Sequence, residues 1–273
     1  MKTHMIKGGA GTLLHVVETG KPQGRPIVFL HGASQCWLNW SRQLDSSLTD
    51  KHRLIAVDLR GHGLSEKPRD AYNDSKPWAD DLQAVIEALN LKAPVLSGWS
   101  YGPLVILDYI RHHGEEQLGG LHLVSAITKL GTAEAMSALT PEFLAIVGEF
   151  LSAEAEPSVR GLQGLLRLCF AKEPSISELY LMLGYSASVP PYVRQGLFAR
   201  VFDNDDLLPK IRKPVLITHG ERDAVVKPAV VEQHKAAMPH AQVQLLPGAG
   251  HAVFWDDPAA FNRRLHAFCE GLE

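Results

Sequence analysis

The chain has 273 residues, 45% hydrophobic and 21% charged, with a formal net charge of −3. That length suits one large core with or without a smaller subdomain, and that composition is ordinary for a globular domain rather than a disordered one. The basic residues are scattered, so no Lys/Arg stripe offers a nucleic-acid partner its electrostatic footprint.

Met1 to Gly11 has no apolar stretch of signal-peptide length, and Met1 to Met5 carries no weight in the reading of the fold. No run approaches the roughly 20 apolar residues that span a membrane. Cys36, Cys169 and Cys269 are far apart and form no CxxC pair, which excludes a disulfide framework and a zinc knuckle. Reduced thiols in a cytoplasmic protein are the expectation.

Short runs rich in Val, Leu and Ile read as strands: Leu13–Val17, Pro26–Leu30, Arg53–Val57, Pro94–Ser97, Leu121–Ser125, Pro214–Thr218 and Val243–Leu246. Helices lie between them. Ser75 caps one whose first turn holds Pro77 and whose Trp78, Leu82, Val85, Ile86 and Leu89 share a face. Tyr101 to His113 is apolar almost all round and stops at Gly114, as a buried central helix does. Asp257 and Pro258 open the last helix. This alternation implies a mainly parallel sheet covered on both faces. It fails from about Gly131 to Asp203, where helix starts stand at Thr140-Pro141, Pro157-Ser158, Ser175 with Glu178, and Pro190-Pro191. That stretch reads as a helical cap inserted between two strands.

The sharpest chemical signal is Gly98-Trp99-Ser100-Tyr101-Gly102, which leaves a strand and opens a helix. A G-x-S-x-G turn in that context strains the central residue and lifts its hydroxyl clear of the backbone. The flanking positions must be small, and the helix N-terminus favours developing negative charge. A serine needs a base. His251, after Gly250, lies just beyond the strand Val243–Leu246, and loops after parallel strands gather at one edge of the sheet. The base needs an acid that fixes its tautomer. Asp223 in Gly220-Glu221-Arg222-Asp223 is preferred, with Glu221 as its rival. Two N–H donors for a tetrahedral oxyanion are expected from Tyr101 and from Ala33, in the loop His31-Gly32-Ala33-Ser34. His31 is expected to order that loop. Trp37, Trp99, Val226 and Phe254 flank these motifs and are candidates for the pocket wall, with Phe143, Phe150, Phe170, Tyr180 and Met182 of the insertion as further candidates. No metal site and no cofactor are expected, because no His, Cys, Asp and Glu residues stand at ligand spacing.

Along its whole length the chain resembles the α/β-hydrolase superfamily, in its serine-nucleophile, esterase-like branch with a helical lid. The resemblance rests on His31-Gly32, Asp58-Leu59-Arg60-Gly61-His62-Gly63-Leu64-Ser65, the elbow at Ser100, Gly-x-x-Asp ending at Asp223, and Gly250-His251. Their order, Ser100 then Asp223 then His251, is that superfamily's triad order. The resemblance implies an eight-stranded, mostly parallel sheet with helices on both faces, a core over 1–130 and 204–273, and a lid over 131–203. It also implies that Asp58 to Ser65 is a structural loop. Fold alone does not give the reaction. Ser100, where dehalogenases of this superfamily carry an aspartate, demotes that chemistry. Ala252 stands where its hydroxynitrile lyases carry lysine, and Ser34 where its perhydrolases carry proline. What remains is hydrolysis of a small-molecule ester or related acyl bond, probed with p-nitrophenyl butyrate. A C–C bond hydrolase with the same triad and a receptor that retains the triad are the alternatives. The natural substrate and the oligomeric state are not legible.

Overall fold

The apolar runs pair into one sheet whose central strands are buried on both faces. A computed structural model describes residues 1–272. Its strands are β1 Lys2–Lys7, β2 Leu13–Gly20, β3 Arg25–Leu30, β4 His52–Val57, β5 Val95–Trp99, β6 Gly120–Val124, β7 Val215–Gly220 and β8 Gln242–Leu246. They lie in the order β1-β2-β4-β3-β5-β6-β7-β8. The pairings of β1 with β2 and of β2 with β4 are antiparallel, and all others are parallel. In register, Val28 faces Ile55 on one side and Leu96 on the other. Side chains of β3 alternate between two cores: Val28 and Leu30 join one, Ile27 and Phe29 the other.

Among the described residues eleven α-helices surround the sheet: α1 Ser41–Leu44, α2 Ser75–Ala88, α3 Gly102–His113, α4 Ala133–Ala138, α5 Pro141–Phe150, α6 Ala155–Cys169, α7 Ile176–Ala187, α8 Pro191–Ala199, α9 Val230–Ala237, α10 Val253–Asp256 and α11 Pro258–Glu270. The apolar stripe of α2 and nearly every face of α3 fill the first core, while α11 presents Phe261, Leu265 and Phe268 to the second. Helices α4 to α8 form the insertion between β6 and β7. Two buried ion pairs pin segments across the fold. Arg60 meets both oxygens of Asp81 at 2.7 Å, and Arg200, from the end of the insertion, meets Asp108 of α3 at 2.7 Å.

The structure departs from the sequence reading at several ends. Residues 2–7 form an edge strand, with Ile6 opposite Leu14 as their one buried side chain. Helix α2 has Asp74, not Ser75, at its cap position, and the Ser75 hydroxyl lies 2.7 Å from His112 Nε2 instead. Helix α6 starts at Ala155, ahead of Pro157. Helices α4 and α9 carry no strong apolar stripe and were not expected.

Candidate active site

Ser100 joins β5 to α3 with φ +58°, a left-handed value that a non-glycine residue holds only where its surroundings enforce it. The glycines around it leave no room for anything larger. A Cβ on Gly98 would lie 2.7 Å from the Gly102 carbonyl carbon, and one on Gly102 would lie 2.7 Å from the Leu30 carbonyl oxygen. The Ser100 N–H donates to the Val124 carbonyl at 3.0 Å, which ties the turn to β6.

Asp223 and His251 follow β7 and β8, at the same edge of the sheet as Ser100. The carboxylate is fully engaged. Oδ1 accepts from the N–H groups of Val225 and Val226, both at 2.8 Å, and Oδ2 lies 2.8 Å from His251 Nδ1. His219 of β7 adds its Nε2 at 3.0 Å from the same Oδ2, while also lying 3.1 Å from the Val226 carbonyl. Burial would push the Asp223 carboxyl up, but His251 and His219 outweigh it and hold it well below the usual carboxylate range. An ionised Asp223 is acceptor-only, so His251 carries its proton on Nδ1 and presents Nε2 as the acceptor. The other side of the histidine is held by Trp99, whose Nε1 donates to the His251 carbonyl at 3.0 Å. Glu221, the rival acid, is exposed.

The loop after β3 brings Gly32 against the serine, close enough that a Cβ there would lie 3.0 Å from Ser100 Cβ. Two buried histidines clamp this loop to the segment Asp58 to Ser65. His31 Nδ1 donates to the Gly32 carbonyl at 2.8 Å and its Nε2 accepts from the Leu59 N–H at 3.0 Å. His62 Nδ1 donates to the Arg60 carbonyl at 2.9 Å and its Nε2 accepts from the Ser34 N–H at 3.1 Å. Ser34 itself has φ +60°. Burial, reinforced by His31 nearby, pushes His62 down to about 3, and burial also lowers His31. Both rings are therefore neutral and locked in one tautomer. The ordering role expected of His31 matches this placement, and His62 supplies the other half of the clamp.

Ala33, Ser100, Tyr101 and His251 all line one small cavity of about 40 Å³. Its far wall is apolar and comes largely from the insertion, with Leu139, Phe143, Phe150, Leu165 and Phe198. Of the four flanking residues expected there, Trp99 and Val226 lie on the wall, whereas Trp37 and Phe254 do not. Phe254 is fully buried behind it, 4.3 Å from the Trp40 ring centroid and 5.0 Å from that of Trp99. Trp37 lies further along the segment after β3, its backbone N–H donating to Asp58 Oδ1 at 2.7 Å. Phe170 and Met182 pack in the second core, and Tyr180 is exposed. Gln35 lines the cavity without having been expected to, because a polar residue in a turn gives no sign of burial.

Among the described residues one trio, His52, His266 and Glu270, brings possible metal-ligating atoms within 4.8 Å of one another. His52 is the first residue of β4, so the trio lies at the amino edge of the sheet, opposite Ser100. Linear spacing could not reveal it, because His52 is distant in sequence from the other two. His52 Nε2 and His266 Nδ1 are 2.9 Å apart, the geometry of an N–H···N hydrogen bond. Among the described residues His52 Nδ1 has no hydrogen-bond partner, whereas a metal-bound histidine ordinarily donates its other ring N–H.

The model of the alpha/beta hydrolase family matches residues 27–264. Among curated proteins, the AB hydrolase superfamily protein YisY of Bacillus subtilis is 28% identical over 269 residues, covering 97% of this chain and 98% of its own. A 2-hydroxy-6-oxo-2,4-heptadienoate hydrolase of Pseudomonas putida is 25% identical, over 97% of this chain and 94% of its own. Among solved structures, the esterase RhEst1 from Rhodococcus sp. ECU1013 superposes with a TM-score of 0.94 at 34% identity, covering 100% of both chains.

Proposed function

This chain belongs to the α/β-hydrolase family, and we propose that it is a serine hydrolase of carboxylic esters or related acyl bonds. One observation carries the reading. A strained Ser100 between β5 and α3 shares a cavity with His251, whose Nδ1 lies 2.8 Å from Asp223. In this mechanism His251 Nε2 takes the proton of Ser100 as Oγ attacks the carbonyl carbon. The tetrahedral oxyanion is met by the N–H groups of Ala33 and Tyr101, and Asp223 stabilises the imidazolium. His251 then protonates the departing alkoxide, leaving an acyl-enzyme. Water repeats the sequence and frees the acid. No step calls for a metal or a cofactor.

The lid, over 131–203, shapes the acyl or alcohol site, and its Phe143 and Phe150 favour an apolar, medium-sized group. Three buried free cysteines suit a reducing compartment, which favours the cytoplasm.

The test is hydrolysis of p-nitrophenyl butyrate by wild type and Ser100→Ala. The expected loss is on the order of 10⁶-fold with the fold intact. Near-wild-type turnover by Ser100→Ala would sink the mechanism. The relationship to the P. putida enzyme keeps a second reading, hydrolysis of a C–C bond by the same triad. Turnover of ring-fission dienones but not of esters would favour it. A folded protein that binds esters and turns over neither class would be a receptor.

A further inference from the structure

The cavity beside Ser100 is apolar except at a few points, and nearly all of those already have partners. Tyr101 receives a hydrogen bond from Arg200 Nη1 at 3.1 Å, Trp99 Nε1 donates to the His251 carbonyl, and His251 is held by Asp223. Gln35 is different. It is only 2% exposed and lines the cavity from the loop that also carries Ala33. Among the described residues its Nε2 has one long hydrogen bond, to Ser186 Oγ of α7 at 3.5 Å, and its Oε1 has no hydrogen-bond partner. An amide offers two donors and an acceptor with two lone pairs. Ser186 engages one end, so whichever way the amide is turned, its other end is left over in an apolar wall.

A buried amide oxygen without a donor is unfavourable, and an apolar side chain of the same shape would avoid that cost. The arrangement becomes favourable when the molecule in the cavity brings a donor. We propose that Gln35 is a specificity-determining residue, whose Oε1 accepts a hydrogen bond from a hydroxyl or N–H carried by the substrate near its scissile ester. The preferred substrates are then hydroxylated or N–H-bearing esters with an otherwise apolar body, rather than plain alkyl esters. This rests on the hydrolase reading above and deepens it. The loop is suited to the task. The clamps from His31 and His62 hold the chain on either side of Ala33, and the Gln35 N–H donates to the Gly32 carbonyl at 3.3 Å, so the backbone that carries both Ala33 and Gln35 is one ordered turn. A site built to bond a substrate hydroxyl discriminates strongly against the analogue without it, because the site's own polar group is then left unpaired.

The experiment uses the full chain and measures kcat/KM by titrating released acid. The substrates are ethyl butyrate, ethyl 2-hydroxybutyrate, ethyl 3-hydroxybutyrate, ethyl 3-methoxybutyrate and 2-hydroxyethyl butyrate, which place a donor in either half of the ester. Wild type is expected to prefer at least one hydroxylated ester over ethyl butyrate by about 10- to 100-fold. The methoxy ester, polar but without a donor, should show no such preference. In Gln35→Met, which keeps length and volume, the preference should collapse towards unity. A wild type that hydrolyses ethyl butyrate without favouring any hydroxylated ester overturns this inference and leaves the hydrolase reading standing. So does a preference that survives Gln35→Met, or one shared by the methoxy ester. If no ester is turned over, the hydrolase reading fails, and calorimetric binding of the same esters to Ser100→Ala still decides the role of Gln35. Tighter binding of a hydroxylated ester, lost in Ser100→Ala/Gln35→Met, supports it, and equal binding of all five overturns it.

Discussion

Asp223 and Glu221 are two residues apart, yet the structure gives them different surroundings. The Asp223 carboxylate receives two backbone N–H groups and two histidines, while Glu221 lies exposed with its backbone N–H on the Leu246 carbonyl at 3.2 Å. Asp223→Asn keeps the shape but favours the wrong His251 tautomer, and is expected to cost about 10⁴-fold in kcat. Glu221→Gln should leave the rate within a few-fold of wild type. Steady-state hydrolysis of p-nitrophenyl butyrate by the two variants is the check, and the opposite ranking would reject the assignment. That Ser100, Asp223 and His251 gather at one edge of the sheet was legible, because each follows a strand and sits near glycines whose spacing is a local property of the chain. His219 and Gln35 were not, and His62 was legible as part of a structural loop but not as the partner of Ser34. Their roles come from the pairing of distant segments, such as Ser34 with His62, and a lone histidine or glutamine carries no mark of that.

At the level of elements, the insertion is joined to the acid-bearing loop along Ser137 to Thr140, where Ala138 accepts from the Lys227 N–H at 2.9 Å and Thr140 adds two further bonds. Thr140 caps α5, its Oγ1 accepting from the Phe143 N–H at 3.2 Å and donating to the Ala224 carbonyl at 2.6 Å. Its own N–H donates to the Val225 carbonyl at 3.0 Å. Thr140→Ala removes the cap and is expected to cost about 1–2 kcal/mol of stability, measured by urea unfolding, with Thr140→Ser restoring most of it. Because α5 carries Phe143 and Phe150 to the cavity, the Ala variant should also raise KM for p-nitrophenyl butyrate. An unchanged unfolding midpoint would show that the cap is idle. Such caps were also what made the helices readable. Thr140-Pro141, the Ser175–Glu178 box and Asp257-Pro258 each announce a start that the structure places within a residue. The elements missed are those with few anchors: β1 buries Ile6 alone, α4 buries Ala135 alone, and α9 buries Val230, Val231 and His234. Without a stripe of buried apolar side chains an element leaves no periodic trace in the sequence.

For the whole molecule, buried histidines govern the response to acid. Burial pushes His52, His62, His122 and His234 down to about 4, 3, 3 and 4. In an unfolded chain each sits near 6.5, so between about pH 6.5 and 4 the unfolded state holds protons that the folded state refuses. Unfolding then takes up protons, and stability falls as the pH falls. Two carboxyls oppose this. Burial pushes Asp81 and Asp108 up to about 6, against the pull of Arg60 and Arg200, so the folded state binds protons there before the unfolded state does. With His31 lowered as well, the histidines outnumber the two carboxyls, so unfolding still takes up protons near pH 5 and stability falls with pH there. Below about pH 4, Asp58 and Asp223 add to the loss, because their histidine contacts outweigh burial and hold both carboxyls below the ordinary range. Urea unfolding at pH 7, 6, 5 and 4.5 should show a near-plateau above 6.5 and a steepening decline below it. His122 isolates the cause: it sits inside the sheet, 3.0 Å from Ser97 Oγ and 2.9 Å from Thr218 Oγ1. His122→Gln keeps a polar partner for those hydroxyls but cannot titrate, so it should make the decline near pH 5 shallower, by the uptake of about one proton. A slope that stays flat in wild type, or that His122→Gln leaves unchanged, would mean that these histidines do not set the acid limit of the fold.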